Sequence, residues 1–126
     1  MIKYNSMITF IYYEDFHYGV DFLSNVLELK QVMDQGFAQV YQVAEKAFLG
    51  IVTKEDRKHI KEDTLISLTT SEVEKEYKRI QTHKIYNCTE IKFFESIPLK
   101  SFFFEDKEGH HFEIQQFLNK KDEEQF

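Results

Sequence analysis

One order of segments occurs twice in this chain, and it constrains the fold more than any single motif. Residues 7–13 (MITFIYY) are β-branched and aromatic, the composition of a strand buried on both faces. Asp15 then offers a side-chain oxygen to the free N–H groups of a helix start. Between Phe16 and Leu29, Val20, Leu23, Val26 and Leu27 recur at helical spacing, with Phe22 beside them. Residues 31–34 lead to Gly36 as a turn, and two apolar segments, 37–44 and 47–53, are joined at Glu45-Lys46 as a tight hairpin. The second round opens with a strand over 64–70 (TLISLTT). Ser71 and Glu74 then fit a capping box for a helix reaching about His83, with Val73, Tyr77 and Ile80 on one face. Strand-like runs follow at 90–95, 99–105 and 111–117. Gly109, in the turn between the last two, is free to take positive φ.

Each half therefore reads strand, helix, three strands, over about 7–54 and 64–117. This predicts an α+β fold, two tandem βαβββ modules within one domain spanning 1–118, with 119–126 as a solvated tail. Acidic residues outnumber basic ones, 22 to 16, for a net charge of −6, so the basic footprint of a nucleic-acid binder is absent. No run approaches the roughly 20 apolar residues of a membrane span. The N-terminal residues lack a secretory pattern, and Cys88, the single cysteine, has no partner for an internal disulfide, so a cytoplasmic location is expected. The charged stretch 53–63 (TKEDRKHIKED) mixes signs and reads as a loop, with a lid over a binding site as its functional alternative. Gly-rich phosphate loops, Cys/His zinc spacings and a Gly-x-Ser-x-Gly nucleophile elbow do not occur.

The doubled order resembles the vicinal oxygen chelate superfamily of glyoxalases, bleomycin-resistance proteins and extradiol dioxygenases. Tyr12-Tyr13-Glu14-Asp15 followed by Phe22-Leu23-Ser24-Asn25-Val26-Leu27-Glu28-Leu29 resembles its first strand, Asp and F-Y-x-x-x-L-G-L helix, with Leu23 for the usual Tyr and Glu28 for the usual Gly. Residues 103–114 (FFEDKEGHHFEI) resemble the closing F-x-D-P-x-G-x-x-x-E hairpin, with Lys107 where Pro is common. Ala47-Phe48-Leu49-Gly50-Ile51-Val52 resembles a fourth-strand variant of uncharacterised bacterial relatives.

The resemblance implies a curled mixed sheet forming a cleft, helices outside, and commonly a homodimer. In metal-dependent members, His, Gln or Glu side chains from strands one, four, five and eight hold a divalent ion. The matching positions here are Ile8, Gly50, Leu65 and Glu113, and only the last carries a ligand atom. One carboxylate does not hold zinc, iron or manganese, which need three or more protein donors. The expectation is thus a protein without the family metal or any other cofactor, binding a small molecule in an aromatic-lined cleft, as bleomycin-resistance proteins do. The alternative is a superfamily enzyme (lyase, isomerase or dioxygenase-like) with a rearranged metal site built on Glu113 and His111.

Glu113 reads as an anchor for a ligand amine or hydroxyl, as a general base and candidate catalytic residue, or as a carboxylate merely bonded to its neighbours. His111 shares its strand face. His110 faces the other way and reads as a surface residue near the turn. Ser67 and Thr69, on the face of Leu65, are candidate hydroxyl anchors. Tyr41 and Phe48 are candidate stacking partners for a planar ligand, against core packing as the plainer role. Gly50 admits close approach of a ligand to the backbone, or marks a bulge. Cys88 reads as an unreactive thiol.

Overall fold

A computed structural model describes residues 6–34, 36, 38–53, 64–95 and 97–126. The expected loop or lid at 54–63 lies outside the described residues. In chain order the elements are β1 (Met7–Tyr13), α1 (Phe16–Asp21) with a π-helical continuation over Phe22–Val26, β2 (Lys30–Asp34), β3 (Ala38–Ala44), β4 (Ala47–Thr53), β5 (Ile66–Thr69), α2 (Val73–Ile80), β6 (Lys92–Phe94), β7 (Leu99–Glu105), β8 (His111–Phe117) and α3 (Lys120–Gln125). They form two four-stranded mixed sheets, in orders β1-β4-β3-β2 and β5-β8-β7-β6. The opening strand of each module pairs parallel with its last strand, and the remaining pairs are antiparallel. The described residues separate into two compact units, one module in each. Strand, helix, three strands thus occurs twice, as the sequence predicts.

In the first module, the side chain of Asp15 accepts from the Tyr18 N–H and starts α1. The helix covers the sheet face that carries Ile11 and Tyr13, Leu49 and Ile51, and Tyr41, all buried. Gly19 is the point of closest approach, for a Cβ there would stand 2.7 Å from the Tyr13 ring and 3.1 Å from Ile51. Past the π-helical turn, Glu28 stops the helix at φ +57°, the left-handed conformation that glycine adopts most easily. That is the conformational reason for the Gly of the resembled motif at this position. β1 is an edge strand. Its C-terminal half is buried, whereas Met7, Ile8 and Phe10 are exposed, which corrects the expectation of a strand buried on both faces.

In the second module, α2 lies over Phe102, Phe104, Phe112 and Ile114, all buried, with Tyr77 edge-on to Phe102 at 4.9 Å. The rings of Phe102, Phe104 and Phe112 stack in sequence at 5.9 and 5.5 Å. Each such side chain contributes roughly 1.5–3 kcal/mol on burial. The capping box does not form. Thr70 Oγ1 takes the Glu72 N–H, and the first helical amide, that of Val73, donates to Gln116 Oε1 from β8. The end of the chain stays exposed yet is helical, with the Asn119 side chain capping α3 and Phe126 stacked on Phe117 at 5.1 Å.

Candidate functional site

On the face away from α2, the second sheet carries a polar row. Parallel pairing sets Ser67 against Glu113 and Thr69 against Gln115. Antiparallel pairing sets Phe103 against Glu113 and Ser101 against Gln115. Paired residues share a face, and side chains alternate along a strand. Glu113, Gln115, Ser67, Thr69, Phe103 and Ser101 therefore lie on one face by register alone.

Hydrogen bonds run along that face in one direction. Gln115 Nε2 donates to Ser67 Oγ at 2.7 Å, and Ser67 Oγ donates to Glu113 Oε1 at 2.8 Å. A bond to an ionised carboxylate is among the stronger kinds. Glu113 is half-buried, while Ser67 and Thr69 are exposed. Beside Gln115, Ser101 is fully buried, and among the described residues its hydroxyl has no hydrogen-bond partner. Near Thr69 the surface dips into a concavity of about 270 Å³ walled by Thr69, Thr70, Ser71, Phe117, Glu123 and Phe126. His111 also lies on this face, its Nδ1 3.9 Å from Glu105 Oε2.

The other sequence candidates fall elsewhere. Leu65 is exposed just ahead of β5. Ile8, Phe48 and Gly50 share the face of the first sheet opposite α1, with Ile8 exposed. The Phe10 ring lies over Gly50 there, and a Cβ at Gly50 would stand 2.5 Å from it. Tyr41 is a correction. It pairs with Leu49 on the helix-covered face, is fully buried, and donates its hydroxyl to Gln39 Oε1 at 2.7 Å. It packs the core, and it does not share a face with Phe48.

His110 is a second correction. It is buried beside the fully buried Asp106, whose Oδ1 accepts from the backbone N–H of Glu108 and of His110. The ring Nδ1 of His110 lies 2.9 Å from Asp106 Oδ2. The pair fastens the β7–β8 turn, in which Gly109 takes φ +84°. Cys88 is half-buried, and burial pushes its thiol above the ordinary value.

No protein-family model and no curated protein matches the sequence. Solved structures do match. A member of the glyoxalase/bleomycin resistance protein/dioxygenase superfamily from Sphaerobacter thermophilus aligns with a TM-score of 0.74 at 20% identity, over 91% of this chain and 98% of that one. Fosfomycin resistance protein FosX from Mesorhizobium loti aligns at 0.68 and 16% identity, over 97% and 98%. Lactoylglutathione lyase from Agrobacterium tumefaciens aligns at 0.70 and 16%, over 87% and 91%. The chain has the vicinal oxygen chelate fold.

Against the metal-binding pattern of that superfamily, the matching side chains offer few donors. Ile8 and Leu65 are aliphatic, and the space a side chain at Gly50 would enter holds the Phe10 ring. Glu113 alone can donate to a metal. Among the described residues, no three His, Cys, Asp or Glu side chains converge as a metal site would require. By the chemistry of their side chains, Ile8, Gly50, Leu65 and Glu113 together do not supply the three or more donors such an ion needs.

Period-two counting outward from Glu113 would have found Gln115. The Ser101 hydroxyl carries no such local signal, because its burial depends on the whole sheet.

Proposed function

We propose that this protein binds a small molecule without the metal of its superfamily, holding it against the polar row of the second module with Glu113 as the central anchor. The observation that carries this reading is the Gln115–Ser67–Glu113 relay, a half-buried carboxylate held in place by a directed hydroxyl at 2.8 Å. Such a group orients a ligand, and the hydroxyls at Thr69–Ser71 with the Phe117 ring give the mixed polar and apolar lining usual for a small-molecule pocket. Ser67 and Thr69 are the hydroxyl anchors in this reading, and Leu65, exposed just ahead of β5, contributes apolar surface. The names of the similar structures, which span antibiotic resistance and lyase activity, agree with a fold used for small ligands. His111 is a contact at the rim, turned toward Glu105.

The same reading makes the protein a cytoplasmic homodimer. The exposed Met7, Ile8 and Phe10 on edge strand β1 support the association, and no described helix is long and apolar enough to cross a membrane. The test is a thermal-shift screen of a chemically diverse small-molecule set, run in EDTA and again with added zinc, nickel or manganese. Compounds should stabilise the protein equally in both conditions and less in Glu113→Gln. Stabilisation that appears only with metal would overturn the proposal in favour of a superfamily enzyme.

A further inference from the structure

We infer that the polar row takes a cationic head group, a protonated amine or an amidinium, in preference to an anion. This rests on the small-molecule reading above and names the ligand class for that same site. Gln115 spends an amide donor on Ser67, and Ser67 spends its only proton on Glu113. Beside one remaining Gln115 amide proton and the Thr69 hydroxyl, the row then presents two acceptors, the second carboxylate oxygen of Glu113, which carries the charge, and the carbonyl oxygen of Gln115. A ligand satisfies these by donating, and an ammonium or amidinium carries two or more donors with no acceptor.

Two further features agree. Phe103, directly across β7 from Glu113 and half-buried, sets an aromatic ring beside the carboxylate, the pairing that attracts organic cations. Within the four strands, the formal charges on this face are Glu113 and Glu105 against Lys92. Lys92 stands on the far edge strand β6, about 10 Å from β8 by two strand spacings.

Three probes with one ring and different charge separate the possibilities: benzylammonium, benzyl alcohol and benzoate. Each is titrated into the full chain and followed by amide chemical shifts, with the signals of residues 67, 113 and 115 as the readout. Benzylammonium should move them and bind more tightly than either other probe. Its affinity should fall with added salt and roughly tenfold in Glu113→Gln, while benzyl alcohol is unaffected by the substitution. Glu113→Gln keeps an oxygen for the Ser67 hydroxyl, so the row stays assembled. Equal or tighter binding of benzoate or benzyl alcohol at these residues would overturn the cation preference and leave the small-molecule reading standing. Unchanged benzylammonium affinity in Glu113→Gln would also overturn the preference. If none of the probes moves these signals, both readings fall.

Discussion

Replacing Gly19 by Ala sets two effects of opposite sign against each other. Within a helix, Ala is favoured over Gly by roughly 1 kcal/mol. The new Cβ, however, would stand 2.7 and 2.8 Å from two Tyr13 ring atoms and 3.1 Å from Ile51, well inside the usual 3.5–4.0 Å of carbon contact. Tyr13 and Ile51 are both fully buried, so neither can swing aside. Overpacking of this kind costs about 1–3 kcal/mol, and with two rigid neighbours the upper end applies. The net expectation is a loss of roughly 1–2 kcal/mol, a fall of about 4–8 °C in Tm for a chain of this size. Gly50→Ala is the internal control. Its Cβ would meet the Phe10 ring even more closely, at 2.5 Å, but Phe10 is 46% exposed and can rotate into solvent. That variant should stay within about 1 kcal/mol of the parent. Calorimetry or urea unfolding decides between them. A Gly50→Ala cost equal to or above that of Gly19→Ala would refute the reasoning that burial of the neighbour, rather than distance, sets the penalty.

Asp106→Ala removes the acceptor from two backbone N–H groups and the His110 ring, and should lower stability by roughly 3–4 kcal/mol in urea unfolding; a loss under about 1 kcal/mol contradicts the clamp. Glu28→Gly relieves a left-handed residue and should raise stability by about 0.5–1 kcal/mol, and a decrease would show that the Glu28 side chain matters more than its backbone. Cys88 has its thiol pushed up from 9.0 by burial, so it stays protonated at neutral pH. A group whose folded-state value is raised stabilises the fold below its unfolded value and loses that contribution as pH rises through the folded one. Alkylation by iodoacetamide should therefore be slow at pH 7 and accelerate only in the alkaline range, and fast labelling at pH 7 would contradict the burial.

How much was legible in the sequence follows from how local each signal is. Asp15 was readable as a cap because the bond is made three residues away, to Tyr18. The hairpin at Glu45-Lys46 and the turn at Gly109 were readable for the same reason. Ser71 misled because the helix starts one residue later, capped at Glu72, with its first amide, that of Val73, given to Gln116, 43 residues distant. Alternation reports which residues share a face but not which face a helix covers, so Tyr41 was grouped with ligand contacts although α1 lies on its side. The bulky run of β1 does not reveal that the strand sits at an edge, since strand order is set by pairing with β4. His110 looked like a surface residue because its burial depends on the Asp106 carboxylate beneath it. Glu113 was found by resemblance, while the place of Ser101 emerged only from β7–β8 register and the relay from the pairing of β5 with β8.

The central claim is that the superfamily metal positions lack a donor set while Glu113 serves an organic ligand. Calorimetric titration of metal-stripped protein with zinc, nickel and manganese tests it most directly. The account expects no saturable uptake of one ion per chain, and the same trace for Glu113→Gln. A stoichiometric, tight binding event that Glu113→Gln abolishes would contradict it.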